Sequence, residues 1–515
     1  MSEASLRDLI GLFGDARDDG DWPRFLDLLR VQWSELFQVH PDDLLDLLVS
    51  IPPDVVEANS RLRFAEEYLR RILHREAADR LDDVGDTPAQ DALDLLAEIT
   101  NEVRVARVEG RYLEAVAAAE RAVALLTDTP AHIVPTLDTA LPEFHYHWAL
   151  AFQLVNRFDT AAEQFALSYD WAGTVGNHMA AARAAGGVAL IHALHGRGRE
   201  ATAWLLKRPR IPDDAWWAAT ARTPGTLAEA ILYVERLEVD AARVVLLGVD
   251  IREGLDYWAP YFAVRAYITP DDEASARALL AEFDAFVGTL TDEHAYNPLG
   301  SEFAVVIRSL LLRLMGRADE AERMLGEEPV DAGSSLVRQM QAVLHARMLA
   351  RRGRAADAAR AIAPLLHVSS ARPRILVAAL LIAADGVEGE ERDELIRRVG
   401  DLSAWNLCHQ SWAFASAEVR AVLATDARER GDGEVADRLE ALAGGATIAG
   451  SDALTHREAA VVQAALAGLS NSEISDAHHV SINTVKTHMR HAYTKLGVTS
   501  RDELQRLFQI DRLRR

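Results

Sequence analysis

One short pattern recurs along residues 92–443 and leaves few folds open. A turn residue is followed, five positions on, by a small residue opening a new helix. Clear copies are GRYLEA (110–115), NRFDTA (156–161), GRGREA (196–201), GRADEA (316–321) and GRAADA (353–358). LEVDAA (237–242) and TPDDEA (269–274) are weaker copies. The closing alanine falls at 115, 161, 201, 242, 274, 321 and 358, so the spacing varies between 32 and 47 residues. An apolar helical stretch precedes and follows each copy, as HWALAFQLV (147–155) precedes NRFDTA. A period near 40 residues with two helices per unit predicts a helical-hairpin array of about seven to ten units. Glycine lets the first helix end in a left-handed cap. Alanine lets the second helix approach closely where the pair crosses. No alternating strand pattern competes.

The pattern resembles degenerate tetratricopeptide repeats over most of residues 92–370, without their full aromatic and proline signature. That resemblance implies an all-α protein with a tetratricopeptide-like α-solenoid over 92–443, used as a sensor or interaction domain. Residues 1–80 read as an N-terminal helical module, with Pro52-Pro53 as a helix break. The acidic stretch 81–91 reads as a loop, and the small, Gly-rich stretch 444–453 as a flexible linker.

Residues 454–515 have a different character. Within them Thr455 and Glu458, Ser470 and Glu473, and Ser500 and Glu503 have capping-box spacing. Ser481 is a further N-cap candidate, and Gly468 and Gly497 sit where C-caps are needed. The predicted helices are roughly 456–467, 471–477, 482–496 and 501–508. In the third, Val485, Met489, Ala492 and Leu496 make an apolar inner face. Asn483, Lys486, Thr487, Arg490 and Thr494 gather on the other side. Residues 477–501 contain no Asp or Glu. Of the 55 basic residues only three are lysines, Lys207, Lys486 and Lys495, and two of those lie in this one helix. A solvated face in this chain would ordinarily use arginine. Long cations suit phosphates and guanine edges, and Asn and Thr can read base edges. A short helix, a tight turn and a cationic second helix form a helix-turn-helix.

From Leu454 to about Leu504 the stretch resembles the LuxR-type helix-turn-helix shared by many bacterial transcription regulators. LTHRE, GLSNSEIS (468–475), VSINTVKTHMRH (480–491) and KLGV followed by Ser500-Arg501 carry the likeness. The resemblance implies that Lys486, Thr487 and Arg490 face bases, with Asn483 on the same face. It places Ser481, Thr484, His488, Lys495 and Arg501 near phosphates. It also implies that the last helix, with Leu504, Leu507 and Phe508, pairs two copies. Ser475 stands where the family usually has alanine, and His478 where it usually has a leucine under the turn. His478 is expected as a neutral, buried residue.

Charge separates the two parts. The net charge is −24, yet 451–515 hold nine Lys or Arg against seven Asp or Glu, a net of +2. The first 450 residues therefore carry −26 and are not a nucleic-acid surface. An acidic patch of the array is expected to restrain the face of Lys486, Arg490, Lys495 and Arg501.

Other chemistry is sparse. A phosphate-binding G-x-x-x-x-G-K-[ST] loop is excluded, because none of the three lysines follows a glycine. No catalytic constellation stands out, so an enzyme is not expected. No cofactor or metal site is expected, because the residues Glu143, His145 and His147 do not share one helix face. The single cysteine, Cys408, fits a cytoplasmic protein. Trp216, Trp217, Tyr257, Trp258 and Tyr261 are the aromatic candidates for a ligand pocket in the array, against the alternative that they pack hairpin to hairpin. The expectation is a sequence-specific DNA-binding transcriptional regulator controlled through its repeats. Its expected partners are double-stranded DNA, RNA polymerase, an unidentified small-molecule or protein effector and a second copy forming a homodimer, with no membrane. The competing class is a repeat scaffold whose C-terminal domain does not bind DNA.

Overall fold

The computed structural model describes residues 3–31, 41–57, 62, 92–130, 133–134, 137–213, 215–270, 272–290, 297–326, 330–331, 333–383, 389–414, 417–441, 454, 456–466, 468–496 and 498–507. Every regular element among them is a helix, and none of these helices is long and apolar enough to cross a membrane.

The recurring sequence pattern builds one local structure. A helix ends in a left-handed residue, the next residue acts as N-cap, and a second helix folds back. At Gly110 the φ angle is +71°, the Arg111 amide donates to Ala106, and helix Tyr112–Asp128 follows. The same six-residue closure recurs from Arg157 to Phe152, Arg197 to His192, Arg317 to Leu312 and Arg354 to Leu349. The alanine three residues into each second helix is fully buried at 115, 161, 201, 242, 321 and 358. A larger side chain there would push the two helices apart.

Two turns break the glycine rule. Asn156 and Leu237 take the left-handed position with φ of +64° and +65°. Asparagine tolerates that region, whereas leucine is strained in it. Leu237 packs partly against the core around Ile375, Trp412 and Val419, which holds it there.

The copy at 269–274 is shifted. Asp272 is the N-cap, its side chain accepting from the Ser275 amide, so helix Glu273–Val287 begins late. Ala276, not Ala274, is the buried residue. Two further copies escaped the pattern. Gly431 and Ala436 form one, and Gly20 the other, with Phe25 in place of the alanine.

The chain divides into two compact units, 1–185 with 208–221, and 186–207 with 222–515. In the first, helix Ala92–Val108 pairs with Tyr112–Asp128, and Leu141–Leu154 with Phe158–Val175. Every residue of Leu141–Leu154 is buried, as for a helix apolar nearly all round. Two of its polar members pair with neighbouring helices: Glu143 accepts from Arg183 at 2.6 Å, and His145 Nδ1 lies 2.7 Å from the Gln164 side-chain oxygen. Burial lowers the His145 pKa to about 4 against the raising effect of Gln164. These partners are protein groups, so Glu143 and His145 are core residues.

In the second unit, hairpins Pro298–Leu314 with Ala318–Leu325, Leu336–Arg351 with Ala355–Ile362, and Ala417–Glu429 with Gly433–Ala441 lie along the chain before the C-terminal helices. Four of the five aromatic candidates, Trp217, Tyr257, Trp258 and Tyr261, are buried, and Trp216 is half-buried. Trp216 and Trp217 belong to the first unit, and Trp217 is buried. In the second unit, Tyr257, Trp258 and Tyr261 are all buried. Trp258 lies 6.2 Å from Phe283 and against Gly300, and Tyr261 meets Phe262 edge-on at 5.2 Å. Large rings gain most by leaving water, and here they do so by packing helix to helix.

Candidate nucleic-acid interface

Four helices form the C-terminal domain: His456–Leu466, Asn471–Ala477, Ile482–Leu496 and Arg501–Leu507. Their ends are fixed by local polar groups. Gly468, at φ +91°, closes the first helix, with the Leu469 amide donating to Ala464. Ser470 and Glu473 make a complete capping box: the Glu473 amide donates to the Ser470 hydroxyl at 3.3 Å, and the Ser470 amide to the Glu473 carboxylate at 2.7 Å. The Ser470 amide and hydroxyl hold the Glu473 carboxyl below the usual carboxylate range.

The turn between the second and third helices spans His478 to Val480. His479 takes the left-handed conformation at φ +53°. The Ser475 hydroxyl donates to the Val480 carbonyl at 2.6 Å and ties the turn shut. Alanine at 475 could not do this, so the departure noted in the sequence has a structural use. His478 is exposed, contrary to the buried position expected of it. Ile474, Val485 and Val480 already fill the space under the turn.

Ser481 caps the third helix, accepting from the Thr484 amide at 3.1 Å and lying 2.8 Å from its hydroxyl. Val485, Met489 and Ala492 are buried with Val462, Ala465, Ile474 and Leu504 in one core. The other face is open. Asn483, Lys486, Thr487, Arg490 and Thr494 are all exposed, and Thr484 and His488 half-buried. The Thr487 and Thr494 hydroxyls donate to the carbonyls of Asn483 and Arg490, at 2.9 and 3.0 Å, leaving their oxygens facing out. Among the described residues no carboxylate lies within ion-pair distance of Lys486 or Arg490. These cations sit one turn apart on one face, Lys486 as a point charge and Arg490 as a planar donor fork able to bind bidentately. The side chain of Lys495 lies outside the described residues.

The structure gives two of the expected site residues packing contacts inside the domain. Arg501 is half-buried and turns inward, donating to the carbonyls of Ala465, at 2.7 Å, and Leu469. It caps the C-terminal end of the first helix through Nη2. Leu504 is wholly buried in the core of its own domain and has no side-chain surface for a second copy. The Leu507 side chain and all of Phe508 lie outside the described residues, as do Thr455 and Gly497. Ser500 caps the last helix through the Glu503 amide, but the Glu503 carboxylate reaches one residue further back, to the Thr499 amide and hydroxyl.

The domain is seated on the repeat hairpin whose second helix is Val239–Leu246. Val244 joins the core of Val461, Val462 and Leu454, and Leu247 packs on its edge. The Leu454 amide donates to Asp240 at 3.3 Å. Asp240 is itself held 2.7 Å from Arg243. Gly248 lies against Gln463, whose amide nitrogen would stand 2.7 Å from an added Cβ. This contact uses helix His456–Leu466 and leaves the face of Lys486 and Arg490 open. The expected covering of that face by an acidic patch is therefore not the arrangement formed.

The sequence pattern of the family described as bacterial regulatory proteins, luxR family, matches residues 452–508. A curated protein of Aeromonas salmonicida, named as an HTH-type transcriptional regulator in the exeN 3'region, is 34% identical over 119 residues, 23% of this chain. The match spans 57% of that relative's length. A solved structure titled as the Rap conjugation gene regulator of the plasmid pLS20 in complex with the Phr* peptide aligns with 86% of this chain and 94% of its own. Its identity is 13% and its TM-score 0.25. Residues 452–508 thus carry a LuxR-family helix-turn-helix domain, at the end of an all-α chain.

Proposed function

We propose that this chain is a sequence-specific DNA-binding transcriptional regulator, and not an enzyme, acting in the cytoplasm. The observation that carries the reading is the exposed, acid-free face of helix Ile482–Leu496, held rigid by caps at Ser470 and Ser481. In this reading Asn483, Lys486, Thr487 and Arg490 contact base edges. Ser481, Thr484, His488 and Lys495 lie along the backbone. Arg501 supports the interface from behind.

One helix of this length reads few base pairs, so a homodimer on a two-fold site is proposed, with half-sites about one helical turn apart. With Leu504 buried, the proposed pairing surface is Leu507 and Phe508 with the exposed side of the last helix. DNA-bound dimers would then offer a surface to RNA polymerase. The repeats are proposed to hold the effector site, since the reading domain is footed on one of their hairpins.

The test is selection of duplexes from a random pool by the full chain. Enrichment of a two-fold sequence supports the proposal. Failure to enrich any sequence, at a salt concentration where the chain is folded, contradicts it.

A further inference from the structure

Helix Ile482–Leu496 carries six apolar side chains. Val485, Met489, Ala492, Tyr493 and Leu496 all pack in the core of the C-terminal domain. Ile482 does not join them. It is 43% exposed, and among the described residues it is the one large hydrophobic exposed in that domain. A single exposed apolar residue is ordinary on a protein surface. The place of this one on the helix is not.

Ile482 is the first residue of the helix, directly after the Ser481 cap. In a helix-turn-helix the N-terminal residues of the second helix are those that reach base edges. Four and eight residues further on stand Lys486 and Arg490, both exposed. Residues four apart lie one above the other on a helix, so Ile482, Lys486 and Arg490 form one row. No Asp or Glu occurs from 477 to 501. The row is therefore an apolar group followed by two cations. An apolar protein partner would need a wider patch, and no other large hydrophobic is exposed beside Ile482 among the described residues. A major groove needs no patch. Its floor offers acceptors on guanine, which suit the two cations, and a methyl group on thymine, which suits an isolated aliphatic side chain. The branched Cβ of isoleucine also confines χ1 in a helix, so little freedom is lost on contact.

We infer that Ile482 is a specificity-determining residue that reads the C5-methyl group of a thymine in the major groove. The inference rests on the reading of the chain as a DNA-binding regulator. Four residues of helix rise about 6 Å, close to two base steps of about 3.4 Å each. The thymine therefore lies within about two base pairs of the base that Lys486 reads. Lys486 and Arg490 supply hydrogen-bond donors along the row, and Ile482 supplies a contact that an unmethylated pyrimidine cannot return.

The experiment uses the full chain and the duplex that it enriches. Each thymine in turn is replaced by deoxyuridine, which removes the methyl group and leaves the pairing edge and its acceptor oxygens in place. At a thymine near the Lys486 contact the wild type should lose about fourfold in affinity, the worth of one buried methyl-sized group. Ile482→Ala should bind the thymine and deoxyuridine duplexes equally, with circular dichroism confirming its fold. Should that variant fail to fold, Ile482→Asn takes its place with the same expected result. Insensitivity of the wild type to every replacement would overturn the inference. So would a methyl preference retained in the Ile482 variant, which would assign the methyl contact to another side chain, such as Thr487. Either result, with a duplex enriched, leaves the DNA-binding proposal standing. Failure to enrich any duplex overturns both.

Discussion

The Arg501 guanidinium sits on the carbonyl end of helix His456–Leu466, bonded to a residue 36 positions earlier. Ser470 and Ser481 each bond a partner three residues away. That difference in reach decides what the sequence discloses. The caps, the inner face of Val485, Met489 and Ala492 and the outer face of Lys486 and Arg490 are local, and their spacing alone places them. The turn of Arg501 inward depends on which helix end lies beside it, and that is a matter of packing. His478 follows the same logic, since whether a turn residue is covered depends on the size of its neighbours. His409 carries the residue-scale prediction. It is buried with Nδ1 3.1 Å from the Ser403 hydroxyl. Burial first, then the charges of Arg236 and Arg438, lowers its pKa to about 3. The unfolded chain binds this proton near pH 6.5, so the stability gained by keeping the ring neutral is complete above 6.5. It is lost as pH falls from 6.5 towards 3. Between pH 7 and 5 the wild type should lose about 2 kcal/mol more than His409→Gln from this group. Urea unfolding at the two pH values measures it, and identical losses would refute the assignment.

The repeated hairpin is the element on which the chain is built. Gly110, Gly196, Gly316 and Gly353, each followed by an alanine five positions on, were enough to predict it. The copy at 269–274 is legible in the sequence but two residues out of register, because Asp272 supplies an N-cap that delays the helix. The copy at Gly431 was missed because GDGEVA breaks the expected spelling while keeping its geometry. The seat of the reading domain was beyond sequence reasoning altogether, since Asp240 and Leu454 are 214 residues apart. The seat is nevertheless testable as an element. Burying a valine is worth about 1.5–3 kcal/mol, and Val244 is 1% exposed. Val244→Asp should speed amide exchange in Val239–Leu246 and His456–Leu466 together. Unchanged exchange in both segments would mean that the two helices do not pack in solution.

At the scale of the molecule, a strongly acidic helical array carries a small domain with one uncharged seat and one cationic face. The array's charge of −26 over 450 residues disfavours DNA everywhere but at that face. The central claim is that the face of Lys486 and Arg490 reads bases. It is tested most directly by measuring the affinity of the full chain, Lys486→Ala and Arg490→Ala for the selected duplex and for versions with one base pair changed. The account predicts that each variant loses about 1–3 kcal/mol of discrimination at one base pair and keeps it at the others. Discrimination unchanged in both variants, at every position and at two salt concentrations, would contradict it.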